Sequence, residues 1–350
     1  MEMTSNRKKL LLVGSTISPV HLKNYYHLIK DYFDEILVVT NYPIDFCKYE
    51  IVDFSIKQPF KIPGNIKSFR RIINAFNPDL IHVHQANSCA YITAKANQGK
   101  YPLVLTIWGS DVLLLPQRGF LFKYMVKYSL KRADAITADA NYIASVIQDL
   151  GIRKEINVAN FGIDLDQIII PPKENIIYSN RLHNELYNID QVIIGFRDFV
   201  KEFPEWKLII GGNGKKTEDL KKLAKNSLPV NSYECIGFVD KDENQRQYLR
   251  AKIWISVPRS DGTAISLLEA MAYGCIPVVS DLPANNEWIT DGLNGCVVRD
   301  GITNALKKAS TLSITEVQEI NSKIIETKAT KKVNKAVFES IYDKIIKAGN

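Results

Sequence analysis

The chain has 350 residues, 46% of them hydrophobic and 24% charged, and its 45 Lys+Arg against 38 Asp+Glu give a formal charge of +7. That length exceeds what a single hydrophobic core usually supports, so two domains of roughly 170 residues are expected. No window approaches the ~18 unbroken apolar residues of a membrane-spanning helix, and five cysteines, odd in number and without a C-x-x-C pair, argue against a disulfide framework and a zinc site.

The polar start, Met1 to Lys9, leads straight into Leu10 to Val13, an apolar run too short for a signal-peptide core. A reducing cytoplasm is therefore the expected compartment. Charge is uneven along the chain: residues 1–165 carry 20 Lys+Arg and 14 Asp+Glu, net +6, whereas residues 166–350 carry 25 and 24, net +1. A basic half suits nucleic acid, anionic lipid or phosphorylated substrate, and composition alone does not choose among them.

In chain order, Lys9 to Val13, Glu35 to Thr40, Leu80 to His84, Leu103 to Ile107, Ala135 to Ala138 and Ile156 to Ala159 read as short apolar strands alternating with amphipathic stretches. This is the βαβ rhythm of a parallel sheet. Gly162-Ile163-Asp164 and the run from Ile168 to Asn175 follow, and the paired Pro171 and Pro172 stop regular structure, as an interdomain linker would. The rhythm then restarts with Ile176 to Ser179, Lys207 to Gly211, Tyr233 to Ile236, Ile253 to Ser256, Ile276 to Ser280 and Gly295 to Val298 as strands. Helical stretches such as Ile189 to Glu202 and Asp219 to Lys225 separate them. Beyond Ser313 the sequence is polar and amphipathic, ending in a helix with the stripe Val337, Phe338, Ile341, Tyr342, Ile345 and Ile346. The fold class is α/β, two doubly wound parallel-sheet domains.

Ligands of open α/β sheets sit at the carboxyl ends of strands, so the loops there carry the chemistry. After the first strand, Gly14-Ser15-Thr16 lacks G-x-G-x-x-G spacing, which makes a dehydrogenase a poor reading. Gly211-Gly212-Asn213-Gly214-Lys215-Lys216 lacks the Walker pattern, so a P-loop is unsupported. His82 and His84 share one face of a strand by its period of two; without a third ligand at recognisable spacing they read as a packed pair or as substrate contacts. Trp108-Gly109-Ser110-Asp111 closes another strand with an aromatic face and a carboxylate, either a sugar platform or a buried Trp with Asp111 as a helix cap. Arg181 follows the first strand of the second half, where its permanently charged fork suits a diphosphate. Between these, Arg118 to Arg132 interleaves bulky apolar and basic residues, either a membrane-surface helix or a buried helix with snorkelling lysines.

The run Ser260 to Gly274 is the most informative. Thr263 can cap a helix whose first free N–H groups belong to Ala264, Ile265 and Ser266, an end that attracts anions. Gly262 permits a tight turn and close approach of a ligand. Ile265, Leu268 and Met271 give the helix a face to bury. Glu269 lies roughly 7 Å along the axis from the helix start, and Asp261 just outside it. A diphosphate at the N-terminus would put an attached ribose near Glu269.

Asp79-Leu80-Ile81-His82-Val83-His84, Thr106 with Gly109 and Asp111, Ala133-Asp134, Asn160-Phe161-Gly162-Ile163-Asp164, Arg181, Leu208 to Gly214, Gly237-Phe238-Val239 and Asp261 to Glu269-Ala270-Met271-Ala272-Tyr273-Gly274 occur in a set order. As an ordered set they resemble the GT-B glycosyltransferases, and most closely glycosyltransferase family 4. The resemblance covers nearly the whole chain. It implies an acceptor-side domain over 1–165, a donor-side domain over 166–330, both Rossmann-like and facing a cleft, and a helix over 331–350 returning to the first. It further implies a retaining transferase that needs no metal and no cofactor.

Carried over, Asp261, Glu269 and Arg181 are the catalytic set, with Asp261 on the donor sugar, Glu269 on the ribose and Arg181 on the departing diphosphate. Gly262, Thr263, Ala264, Ile265 and Ser266 would hold the diphosphate, Gly237, Phe238 and Val239 the base, with Gly14 and Ser15 beside the donor. His21, His84, Trp108, Gly109 and Asp111 would line the acceptor side. Three positions depart from the family pattern: Asp261 replaces the usual Glu, Trp108 replaces a common His, and no lysine follows Arg181 closely, leaving Lys215 or Lys216 as candidate substitutes.

The expected function is sugar transfer from a nucleotide diphosphate, a UDP-sugar on this reading, to a lipid-linked or oligosaccharide acceptor in surface-glycan assembly. The expected place is the cytoplasm, with peripheral attachment to the inner face of the plasma membrane, and nucleic acid is not an expected partner. A non-catalytic nucleotide-sugar-binding partner of another transferase and a nucleotide-sugar 2-epimerase are the alternatives.

Overall fold

Every strand among the described residues pairs in parallel with its neighbours, in two separate sheets. The computed structural model describes residues 8–14, 20–165 and 169–349. Two compact units result, one formed by Met1–Phe161 with Lys331–Asn350 and the other by Gly162–Thr330. The boundary falls between Phe161 and Gly162, where the sequence reading puts it after residue 165.

In the first unit the strands are β1 (Lys9–Val13), β2 (Glu35–Thr40), β3 (Tyr49–Ile51), β4 (Leu80–His84), β5 (Leu103–Ile107), β6 (Ala135–Ala138) and β7 (Ile156–Val158). The helices are α1 (Val20–Ile29), α2 (Ile62–Phe76), α3 (Ser88–Asn97), α4 (Ser110–Leu113), α5 (Phe120–Arg132) and α6 (Asn141–Asp149). The sheet order is β3-β2-β1-β4-β5-β6-β7. β1, β4 and β5 are buried almost end to end, as strands covered by helices on both faces must be. β3 was not expected: its three residues are all exposed and too few to announce a strand, and it exists because Tyr49 to Ile51 pair with the edge of β2.

The second unit holds β8 (Glu174–Ser179), β9 (Lys207–Gly211), β10 (Tyr233–Gly237), β11 (Ala251–Ser256), β12 (Ile276–Ser280) and β13 (Cys296–Val298). Its helices are α7 (Ile189–Val200), α8 (Thr217–Ser227), α9 (Lys241–Arg250), α10 (Ile265–Ala272), α11 (Pro283–Asn286), α12 (Ile302–Thr311) and α13 (Ile314–Lys328). The last helix, α14 (Lys331–Gly349), belongs to the first unit. The order β10-β9-β8-β11-β12-β13 is that of a Rossmann sheet.

Strand alternation sends Ile177, Ile253 and Ile255 into one core with Phe196, Phe199 and Leu306, and Tyr178 and Trp254 into the opposite core with Tyr248, Leu268 and Met271. That second face carries polar atoms on buried aromatics. Each must find a partner, and the search for partners builds the site.

Candidate functional site

Strand order reverses between β8 and β11, and at such a switch point the loops diverge and leave a crevice beyond the strand ends. The loop after β8 delivers Arg181 and the loop after β11 delivers Asp261, so two residues distant in sequence meet there. Arg181 Nη2 donates to Asp261 Oδ2 at 2.5 Å, and Nη1 donates to Ser266 Oγ at 2.5 Å. The guanidinium also lies 4.3 Å from the centre of the Tyr187 ring. Its plane is thereby fixed, with further N–H donors on both terminal nitrogens still to offer. Burial raises the Asp261 carboxyl above its ordinary value, and Arg181 and the Gly262 amide pull it back down.

α10 begins at Ile265 and its N-cap is Ala264, which offers no side-chain cap. This corrects the capping role expected of Thr263. The Thr263 hydroxyl is buried and instead accepts the Trp288 indole N–H at 3.1 Å, anchoring the Gly262-Thr263 turn to the residues after α11. The carbonyl of Ala264 takes the amides of Leu267 and Leu268. Those of Ile265 and Ser266 stand ahead of the helical ladder, beside the Arg181 guanidinium on Ser266. A permanent cation and a helix N-terminus thus converge on one spot, the arrangement that favours an oxyanion ligand.

Farther along α10, Glu269 Oε2 accepts from Tyr248 Oη at 3.0 Å and from Asn244 Nδ2 at 3.4 Å, both on α9. Burial raises this carboxyl, and those two donors lower it. At the other end of the helix Gly274, at φ +72°, closes the last turn.

Gly211 to Gly214 cross directly over the Arg181 loop. A Cβ on Gly212 would sit 2.6 Å from the Arg181 carbonyl oxygen, and one on Gly214 2.5 Å from that of His183. Asn213 and Lys216 exchange backbone hydrogen bonds with His183, whose imidazole also bonds Thr217 Oγ1 and the Gly211 carbonyl. This glycine run is therefore a support for the Arg181 loop rather than a simple turn. Lys216 pairs with Glu185 at 3.2 Å, and Lys215 is exposed. Gly237 accepts the Gly212 amide at 2.6 Å, and Phe238 projects from the loop, 75% exposed.

The first unit has an aromatic cluster where β4 and β5 end. The Trp108 indole N–H donates to His84 Nδ1 at 3.2 Å, which places the His84 hydrogen on Nε2. The His21 ring meets Trp108 edge-on at 4.9 Å, and Phe161 packs against His21, His84 and Trp108. Burial and His21 hold His84 down to about 3, so it is neutral at ordinary pH. His82 stacks on the His84 ring at 4.8 Å and is fully bonded: Nδ1 bonds Tyr25 and Tyr342, and Nε2 bonds Thr106. It is a packed residue. Asp111, in the first turn of α4, faces inward and accepts the amides of Ala86 at 2.7 Å and Trp108 at 3.2 Å, tying the loops after β4 and β5 together.

Asp111 thus reads as a brace beneath Trp108 rather than a side chain that points outward. Gly109, at φ +93°, makes the turn between them. Gly14 closes β1 where a Cβ would meet Leu22 at 2.9 Å, and Ser15 lies outside the described residues. Among the described residues no three His, Cys, Asp or Glu side chains group so as to hold a metal ion.

Residues 164–330 match the model of the glycosyl transferases group 1, and residues 9–140 match that of glycosyl transferase 4-like proteins. The chain belongs to the GT-B group 1 glycosyltransferases. This glycosyltransferase is 24% identical over 198 residues to the alpha-monoglucosyldiacylglycerol synthase of Streptococcus pneumoniae, a match over 51% of the chain and 45% of that relative's own length. It is 26% identical over 320 residues to an uncharacterized glycosyltransferase of Methanocaldococcus jannaschii, covering 83% and 82% of the two chains. Among solved structures, Anabaena HepE in complex with UDP superposes with a TM-score of 0.80 over 96% of this chain and 100% of that one; at 16% identity the likeness is one of fold.

Sequence reasoning did not single out Asn180, His183, Asn244, Tyr248 or Trp254 in this glycosyltransferase. They are scattered between positions 180 and 254, and no fixed spacing announces them. The one available signal was an unusual density of buried aromatics with polar handles on α9, β8 and β11.

Proposed function

We propose that this glycosyltransferase moves a sugar from a nucleoside diphosphate, a UDP-sugar, to a lipid-linked or oligosaccharide acceptor in surface-glycan assembly, with retention at the anomeric carbon and without a metal ion. The observation that carries the reading is the bridge of Arg181 between Asp261 and Ser266 at the start of α10, with Glu269 on the same helix. Guanidinium and helix amides would hold the diphosphate and stabilise the charge that develops as the glycosidic C–O bond breaks, a task that preorganised dipoles perform without a cation. The acceptor oxygen would bond to the anomeric carbon on the face the diphosphate leaves, passing its proton to a departing phosphate oxygen. Asp261 would touch the transferred sugar, Glu269 the ribose, and the Gly237 to Val239 loop the base. His21, His84 and Trp108 would face the acceptor.

UDP as the nucleotide carrier is supported by HepE, solved with UDP, and a lipid acceptor by the pneumococcal relative, whose name is that of a monoglucosyldiacylglycerol synthase. Contact with a membrane surface is supported by α5, where Phe120 is 86% exposed beside exposed Leu121 and Tyr124, with Arg118, Lys123 and Lys127 nearby. No helix among the described residues is long and apolar enough to cross a membrane. The test is sugar release and transfer from UDP-sugars by the purified chain. Glu269→Ala is expected to reduce transfer at least ~100-fold with the melting transition kept; full activity in that variant, or no turnover by the wild type with any donor, would overturn the assignment.

A further inference from the structure

Glu269 is held by a hydrogen-bond network whose direction is fixed from a single starting point. Trp254, fully buried on β11, has an indole N–H that can only donate, and it reaches Asn180 Oδ1 at 2.9 Å. The Asn180 amide is thereby oriented, so that Nδ2 donates to Asn244 Oδ1 and to Tyr248 Oη, each at 2.8 Å. Asn244 Oδ1 also accepts the Tyr178 hydroxyl at 2.8 Å, which turns the Asn244 Nδ2 toward Glu269. Tyr248, having accepted from Asn180, has one hydrogen to give, and Glu269 Oε2 at 3.0 Å and the Ser266 carbonyl at 3.1 Å are within its reach. Both lines end on Oε2. Among the described residues no hydrogen bond goes to Glu269 Oε1.

We infer that Trp254, Asn180, Asn244 and Tyr248 are positioning residues that fix the Glu269 carboxylate as a pure acceptor, saturating Oε2 and presenting Oε1 to the vicinal hydroxyls of a bound ribose. This rests on the reading of Glu269 as the ribose ligand. None of the four touches the nucleotide on this account. They act through Glu269 by denying it the freedom to rotate and by excluding the orientation in which an amide oxygen would face it. Because the network is buried, an unmatched polar atom in it has no water to turn to, and the loss on breaking one link exceeds that at an exposed site.

Calorimetric titration of UDP and of its 2′,3′-dideoxy analogue into the full chain tests this. Wild type is expected to prefer UDP at least ~10-fold. Tyr248→Phe, which keeps the ring and its stack on Tyr273, is expected to weaken UDP about tenfold while leaving the dideoxy analogue unchanged. Asn180→Asp exchanges one amide group for an oxygen and draws both the Tyr248 and the Asn244 donors away from Glu269, so its loss is expected to exceed that of Tyr248→Phe. In a Glu269→Gln background neither substitution adds a further loss, because the two act through one group. Equal affinity of wild type for the two nucleotides, or an unchanged UDP affinity in Glu269→Gln, would overturn the ribose reading itself. If Glu269→Gln erases the preference for UDP but Tyr248→Phe and Asn180→Asp weaken both nucleotides equally, or add their full loss to Glu269→Gln, the ribose reading survives and the positioning inference fails.

Discussion

Two buried groups at the ends of neighbouring strands, His84 and Asp111, are driven in opposite directions by the same loss of water. Burial, with a contribution from His21, holds the imidazole of His84 at about 3, far under its ordinary 6.5. Burial raises Asp111 from 3.8 to about 6 against four backbone N–H groups that favour its charge, those of Ala86, Asp111, Trp108 and Gly109. The signs follow from which state binds the proton. For His84 the unfolded chain takes a proton below 6.5 and the folded chain does not, so its stabilisation is complete above 6.5 and is lost as pH falls toward 3. For Asp111 the folded chain holds the proton longer, so its stabilisation is complete below 3.8 and is lost as pH rises through 6. His84→Phe is therefore expected to flatten the fall in melting temperature between about pH 6.5 and about pH 4, whatever it does to the absolute value. An unchanged slope would show that His84 does not stay neutral in the folded state. Legibility at this scale was mixed. Arg181, Asp261 and Glu269 stood out because charged groups at strand ends and helix starts are chemically conspicuous, whereas Thr263 was misread because an N-cap and a buried acceptor for Trp288 look alike in sequence.

Helices and strands were easier to read, since periodicity reports burial directly. Lys207–Gly211 and Ile276–Ser280 fall where the apolar runs place them, and α7, expected over Ile189 to Glu202, ends at Val200. β8 starts at Glu174, inside the proline-containing stretch taken for linker, because the polar Glu174 still pairs with Ala251 of β11. The α5 reading was left open between a buried and an interfacial helix, and the element has one buried face and one exposed apolar end. Met125, Val126 and Leu130 pack inward while Phe120, Leu121 and Tyr124 stay exposed. An apolar end with basic neighbours suits an anionic bilayer surface, with ~0.8 kcal/mol per buried CH₂ from the apolar side chains and ~1 kcal/mol per lysine or arginine near the surface. In vesicle flotation the chain is expected to rise with liposomes containing anionic lipid and to remain behind with zwitterionic ones, and Phe120→Ser with Leu121→Ser should abolish the rise. Flotation that ignores both lipid charge and these substitutions would remove α5 from the account.

At the scale of the whole molecule, the two-domain α/β plan was legible because the strand rhythm occurs twice, and the return of α14 to the first unit was implied by resemblance. Composition gives no account of why that helix must return. The structure supplies one: Phe338 fills the core of the first unit, and the Tyr342 hydroxyl is a partner for His82 and Tyr25, which are buried with it. The candidate site at the β8–β11 switch point was only half visible from sequence, since its conspicuous charges come with a silent scaffold of Asn180, Asn244, Tyr248 and Trp254. What unites both halves is a cation, a helix start and an oriented carboxylate at the switch point of one sheet, an assembly suited to a nucleoside diphosphate. Titration of UDP into wild type and Arg181→Ala by calorimetry tests that claim most directly. The expected result is saturable binding by wild type and a loss of about 10- to 100-fold in Arg181→Ala, the scale of a charge-assisted bidentate contact; equal affinity in the two proteins, or no binding by wild type, would contradict it.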